Sequence, residues 1–103
     1  MPNSKRLRIA GPALRDLEAI AEFTEEKWGA RQKSQYLDAI REKFEEILQT
    51  PGLGAPRDYV RPGLRACPAG AHMIYYRETA TAVDVLRVLH QQIDPDAQFS
   101  SLG

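Results

Sequence analysis

At 103 residues the chain holds one domain and leaves no room for a separate catalytic lobe. Fourteen basic and fourteen acidic side chains cancel to zero net charge, which argues against a protein that grips nucleic acid mainly through phosphates, because such proteins carry a clear basic excess. No apolar run approaches the roughly 20 residues that cross a bilayer, and a lone Cys67 excludes an internal disulfide framework. A cytoplasmic protein without a membrane partner is the expectation.

The charge is unevenly spread. Residues 1–15 carry Lys5, Arg6, Arg8 and Arg15 and no acid, whereas residues 16–48 hold nine acids against five bases. Residues 49–77 are basic again through Arg57, Arg61, Arg65 and Arg77 against Asp58, and the remainder is acidic. Acidic helices beside a basic strand-and-loop region favour a protein partner over a nucleic-acid one.

Leu7-Arg8-Ile9-Ala10 reads as a first strand, with Arg6 and Arg8 facing away from Leu7 and Ile9. Gly11-Pro12 ends it, and Pro12 suits the first turn of a helix. From Ala13 the residues Leu14, Leu17, Ile20, Ala21, Thr24 and Trp28 recur at helical steps. Asp16 and Glu18 lie toward the positive end of that helix, and Gly29 is a natural C-terminal cap. A second helix is predicted from Ala30 to Leu48, with Arg41 and Glu45 spaced for an ion pair. So short a link makes an antiparallel helical hairpin.

Residues 49–63, punctuated by Pro51-Gly52, Gly54, Pro56 and Pro62-Gly63, read as irregular. A loop of this length in so small a domain is typically functional or mobile. Arg65 to Pro68 reads as a short strand ended by proline, with a turn at Ala69-Gly70. His72 to Glu78 and Ala82 to His90 form a hairpin over Thr79-Ala80-Thr81. The pairs Val85-Leu86 and Val88-Leu89 suggest burial on both faces of a central strand. Residues 91–103 form a polar tail with at most one helical turn after Pro95. The fold class is therefore α+β, in the order β-α-α-β-β-β, with the helical hairpin packed on a small, mainly antiparallel twisted sheet. One domain spans 1–103.

Little in the sequence points to bond-making chemistry. His72 and His90 fall on different strands, 18 residues apart and without a further ligand at metal spacing. They read as structural or hydrogen-bonded, and Cys67 as a small buried side chain. No phosphate loop or nucleophile elbow is present. Neither a metal, a cofactor nor a catalytic residue is expected. Arg65 and Arg87, on neighbouring β segments, could present a cationic patch to an acidic partner or a phosphate. Tyr75, Tyr76 and Trp28 read mainly as core, although Trp28 at the helix exit could equally meet a partner.

Five motifs in order resemble one family. Trp28-Gly29 between two helices, Arg61-Pro62-Gly63-Leu64-Arg65, Gly70-x-His72, Ile74-Tyr75-Tyr76-Arg77 and Val85-x-Arg87-Val88-Leu89-His90-Gln91 are similar to the ParE toxins of the ParE/RelE superfamily, the toxin halves of bacterial type II toxin–antitoxin pairs. The resemblance runs from about Leu7 to Asp94. It implies a toxin neutralised by a ParD-like antitoxin, itself the only DNA-binding element of the complex, and inhibition of DNA gyrase by protein–protein contact. The alternatives are a RelE-type ribosome-dependent messenger RNA nuclease and an inactive antitoxin-binding remnant. RelE-type cleavage needs several basic groups and commonly a C-terminal tyrosine, and the tail past His90 holds no Tyr, Lys or Arg. On this reading Arg87, His90 and Phe99 contact the target, and Arg57, Tyr59, Arg61, Arg65 and Trp28 contact the antitoxin.

Overall fold

The computed structural model describes residues 5–100, so the outermost residues of the predicted domain, 1–4 and 101–103, lie outside the description. The elements are β1 (Arg6–Ile9), α1 (Gly11–Trp28), α2 (Ala30–Gln49), β2 (Ala55–Pro56), β3 (Leu64–Ala69), β4 (His72–Glu78), β5 (Ala82–His90) and α3 (Pro95–Ser100). They form one mixed sheet in the order β1-β5-β4-β3-β2. Strand β1 runs parallel to β5, pairing Leu7 with Val83 and Ile9 with Val85, while every other pairing is antiparallel. The expected helical hairpin on a small sheet is what the chain builds.

Gly29 makes the hairpin tight. Its φ of 91° ends α1, its N–H donates to Glu25 O at 2.9 Å, and α2 starts at the next residue. A side chain there would be strained in the left-handed region. The apolar faces of α1 and α2 then bury Ala13, Ile20, Ile40, Phe44 and Ile47 against Ile74, Tyr76, Val83, Val85 and Val88. Leu64, Ala66, Tyr75 and Leu89 point the other way and are covered by Phe99 and Val60. Strand β5 is thus buried on both faces, as its paired apolar residues foretold. One residue of β5, Leu86, is skipped where the register passes from Tyr75–Arg87 to Tyr76–Val85, and this bulge keeps Val85 and Val88 on the same face.

Three local expectations are corrected. Residues 49–63 contain a 3-10 turn at Pro51–Leu53 and the edge strand β2, whose Ala55 and Pro56 pair with Ala66 and Arg65. The buried Tyr76 hydroxyl fastens this segment by accepting from the Gly54 N–H at 2.7 Å and donating to Pro51 O at 2.6 Å. Strand β3 continues through Pro68 to Ala69, because β2 reaches only Ala66 and at Pro68 the strand has a single neighbour. Arg41 pairs with Asp38, one turn back on α2, instead of Glu45.

Candidate functional site

An apolar cleft of about 500 Å³ opens where α1 and α2 meet the sheet edge. Leu7 and Ile9 of β1 form its floor, Leu14 and Leu17 of α1 one wall, and Leu37 and Phe44 of α2 the other. Glu18, Asp38, Arg41 and Glu45 line its rim. Leu14 stays 49% exposed although it lies on the apolar stripe of its helix. β1 is the outer strand of the sheet, so its far side offers backbone groups for another strand. A half-covered apolar channel beside an open strand suits a polypeptide with alternating or helical apolar residues.

Arg87, predicted as a target contact, is instead committed within the fold. Its Nε and Nη2 each lie 2.8 Å from an Asp16 carboxylate oxygen, and the Val88 N–H donates to the same carboxylate at 2.9 Å. Nη1 reaches Gln98 Oε1 at 3.3 Å. Both partners are mostly buried, and the Asp16 hydrogen bonds push the Arg87 pKa up. Asp16 therefore serves as the clasp between α1 and β5 and not chiefly as a helix-dipole charge. Phe99 is likewise no surface contact. It is 3% exposed and meets Tyr75 edge-on at 5.7 Å.

The expected cationic patch of Arg65 and Arg87 does not form. β4 lies between their strands, and Arg65 stands opposite Tyr76 while Arg87 stands opposite Tyr75. Those two tyrosines belong to opposite faces, so the two arginine side chains leave the sheet on opposite faces, and Arg87 then turns to Asp16. Arg65 donates to Gly54 O at 2.6 Å and stiffens the loop. Arg61 lies over the Phe99 ring at 5.4 Å and donates to Phe99 O at 3.5 Å. Arg57 reaches Pro56 O at 3.0 Å, and Tyr59 is 73% exposed at the tip of the segment.

Trp28 does not join this group. With Phe23 it is 63% exposed and lines a cleft of about 250 Å³ that also contains Tyr36, His72 and His90. His72 and His90 are cross-strand partners with ring centres 5.5 Å apart. The Tyr36 hydroxyl accepts from the Ala71 N–H at 2.9 Å. It donates to Ala69 O at 3.4 Å and lies 2.6 Å from His72 Nδ1, a contact whose direction follows the His72 tautomer. Burial, then the neighbouring His90, hold the His72 pKa below its usual value. Sequence reasoning placed Tyr36 only on the apolar stripe of the second helix and missed both its contact with His72 and the cleft beside β1, which depend on how distant elements meet.

Among the described residues no three of His, Cys, Asp and Glu cluster closely enough to hold a metal ion. No described helix is long and apolar enough to cross a membrane. The clefts described here are an apolar channel beside β1 and an aromatic cleft beside His72 and His90.

Residues 7–95 match the family described as ParE toxin of type II toxin-antitoxin system, parDE. The chain is 34% identical over 95 residues to Toxin ParE1 of Caulobacter vibrioides, covering 92% of this chain and 98% of that protein. It is 37% identical over 94 residues to Toxin ParE1 of Mycobacterium tuberculosis, covering 90% and 96%. The fold resembles a chain of the chromosomal ParDE TA system from P. aeruginosa, with a TM-score of 0.74 at 21% identity over 85% of this chain and 97% of that one. A chain of the toxin-antitoxin complex RelBE2 from M. tuberculosis is similar at a TM-score of 0.58 and 23% identity, over 87% and 94%.

Proposed function

This chain belongs to the ParE toxin family of type II toxin–antitoxin systems, and from that premise we propose that it acts in the cytoplasm by binding DNA gyrase and is neutralised by a ParD-like antitoxin. The observation that carries the antitoxin half is the apolar channel between Leu7, Leu14, Leu17, Leu37 and Phe44 beside the open β1 edge. A ParD-like segment would bury that channel with its apolar residues and extend the sheet with its backbone. The channel's rim has three acids and one arginine, so the segment lying in it would carry basic flanks. The exposed Tyr59 and the Arg57–Arg61 loop would contact a further stretch of the same antitoxin, and the antitoxin alone would bring the complex to DNA.

Action by binding, and not by cleavage of RNA, is supported by how the basic groups are used. Arg87 is held two-pronged by Asp16, Arg65 is turned into the loop carbonyls, and Phe99 fills the sheet beside Tyr75. A phosphate-cleaving site needs such groups free and convergent. His90, with Trp28 and Phe23 beside it, is the exposed part of the predicted target surface.

Purified chain added to gyrase in a supercoiling assay tests the target, with inhibition expected at micromolar toxin. Growth arrest in cells without any inhibition of gyrase would overturn it, and codon-linked cuts in mapped transcripts would establish the nuclease instead. For the antitoxin, Leu14→Glu should block neutralisation while toxicity persists.

A further inference from the structure

Strands β1, β5 and β4 carry a second feature at the Ala82 end of β5. Leu7 and Ile9 pack against the helical side, so Arg6 and Arg8 point to the opposite face. Val83 and Val85 also face the helices, which turns Asp84 to the same side as Arg8. Register then sets Arg8, Asp84 and Arg77 in one row across three strands. At the usual strand spacing the two arginine positions are about 10 Å apart with the carboxylate between them. Two clefts of about 460 and 350 Å³ adjoin this row and share Arg8. The first includes Arg6 and the β4–β5 loop, the second Arg77 and Leu86. The stem of Arg77 lies over Gly63, at whose position a Cβ would meet Cδ at 3.6 Å.

Asp84 decides what fits. Arg8 Nε is 3.1 Å from Asp84 Oδ1, but the contact lacks hydrogen-bond alignment, and among the described residues this buried oxygen has no hydrogen-bond partner. The ion pair with Arg8 offsets part of the cost of burying this acceptor, and an aligned donor would remove the rest. The row thus asks for anionic groups at the two arginines and a donor between them. A DNA backbone brings acceptors only, whereas an acidic polypeptide brings carboxylates to the arginine forks and a backbone N–H to Asp84.

We infer that this sheet end, through Arg6, Arg8, Asp84 and Arg77, is the docking surface for an acidic extended segment of the toxin's protein target. The inference rests on the reading of the chain as a binding toxin, and it places that contact on the face of β1 opposite the apolar channel assigned to the antitoxin. The acidic α1–α2 region disfavours a polyanion as long as a nucleic acid, while a short segment confined to this end escapes the repulsion.

Fluorescence anisotropy with a short labelled Glu-rich peptide, and in parallel with single-stranded DNA of equal charge, tests the chemistry. The chain should bind the peptide more tightly than the DNA. The Arg6→Glu/Arg77→Glu variant, which leaves the Arg8–Asp84 pair intact, should weaken peptide binding by about tenfold or more, while Arg31→Glu on α2 leaves it unchanged. No peptide binding, an unaffected double variant, or tighter binding of DNA would each overturn the inference. The supercoiling assay separates the two proposals. If the wild type does not inhibit gyrase, the gyrase reading falls while the peptide data still decide this surface. If the wild type inhibits and the double variant inhibits equally, this surface falls and the gyrase reading stands.

Discussion

Replacing Asp16 by alanine should be among the most damaging changes available outside the apolar core. Three hydrogen bonds converge on its carboxylate, two from Arg87 at 2.8 Å and one from the Val88 N–H at 2.9 Å, and the two side chains are 14% and 15% exposed. Removing one partner of a buried ion pair costs about 3–5 kcal/mol. Residual exposure lets water reach the stranded guanidinium, so the lower end, about 3 kcal/mol, applies. The orphaned Val88 amide adds about 1 kcal/mol. A domain of this size moves its melting temperature by about 4–8 °C per kcal/mol, so Asp16→Ala should melt roughly 16–32 °C lower. Arg87→Ala costs less, about 2–3 kcal/mol, because Asp16 keeps the Val88 N–H. The double variant should lose well under the sum of the two, leaving a coupling of about 2–3 kcal/mol. Urea unfolding followed by far-ultraviolet circular dichroism measures all three. An Asp16→Ala cost below about 1 kcal/mol, or strict additivity, would refute the clasp and return Arg87 to the surface role its position in the sequence suggests.

Tyr36→Phe removes the hydroxyl shared by the Ala71 N–H and His72 Nδ1 and should cost about 1–2 kcal/mol in the same assay. Because the folded state holds the His72 pKa below the unfolded value, the neutral ring stabilises the fold. Stability should be level above about pH 6.5 and fall as pH drops below it, and His72→Gln should reduce that fall in urea midpoints measured across the range. Gly70→Ala meets both a φ of 59° and a Cβ placed 2.6 Å from Tyr36 Cε1, whereas Gly29→Ala meets a φ of 91° and open space. Thermal melts should show the first costing about 2 kcal/mol or more and the second about 1 kcal/mol. Phe99→Ala empties a buried site against Tyr75 and should cost about 3–4 kcal/mol in urea unfolding.

The elements with strong periodicity were legible from the residues alone. The stripe from Leu14 to Trp28, the glycine after it and the paired apolar residues of β5 announce the hairpin and the doubly buried strand. What was not legible depends on partners distant in sequence. Arg87 looks like any strand arginine until the fold sets it beside Asp16, an acid 71 residues away in the chain. Phe99 sits in a polar tail and gives no periodic sign that Tyr75 will receive it. Arg65 and Arg87 shared a patch only while β3 and β5 were taken as neighbours, and the intervening β4 with its two opposed tyrosines divides them. Even β2 escapes notice, since two residues carry no alternation and owe their pairing to the Tyr76 hydroxyl gathering Gly54 and Pro51. The channel beside β1 is a property of how three elements meet, and no single segment encodes it.

The parallel ladder between β1 and β5 has a consequence in time. Arg6 pairs with Ala82 and Ile9 with Val85, so the outer strand waits for a partner made some 76 residues later. At about 5–20 residues per second, that interval lasts roughly 4–15 s. Throughout it the nascent chain can form its helices but not the sheet end where Arg8 meets Asp84. A newly begun copy is therefore incomplete at the apolar channel and at this sheet end until the last strand is delivered, and the two surfaces appear together.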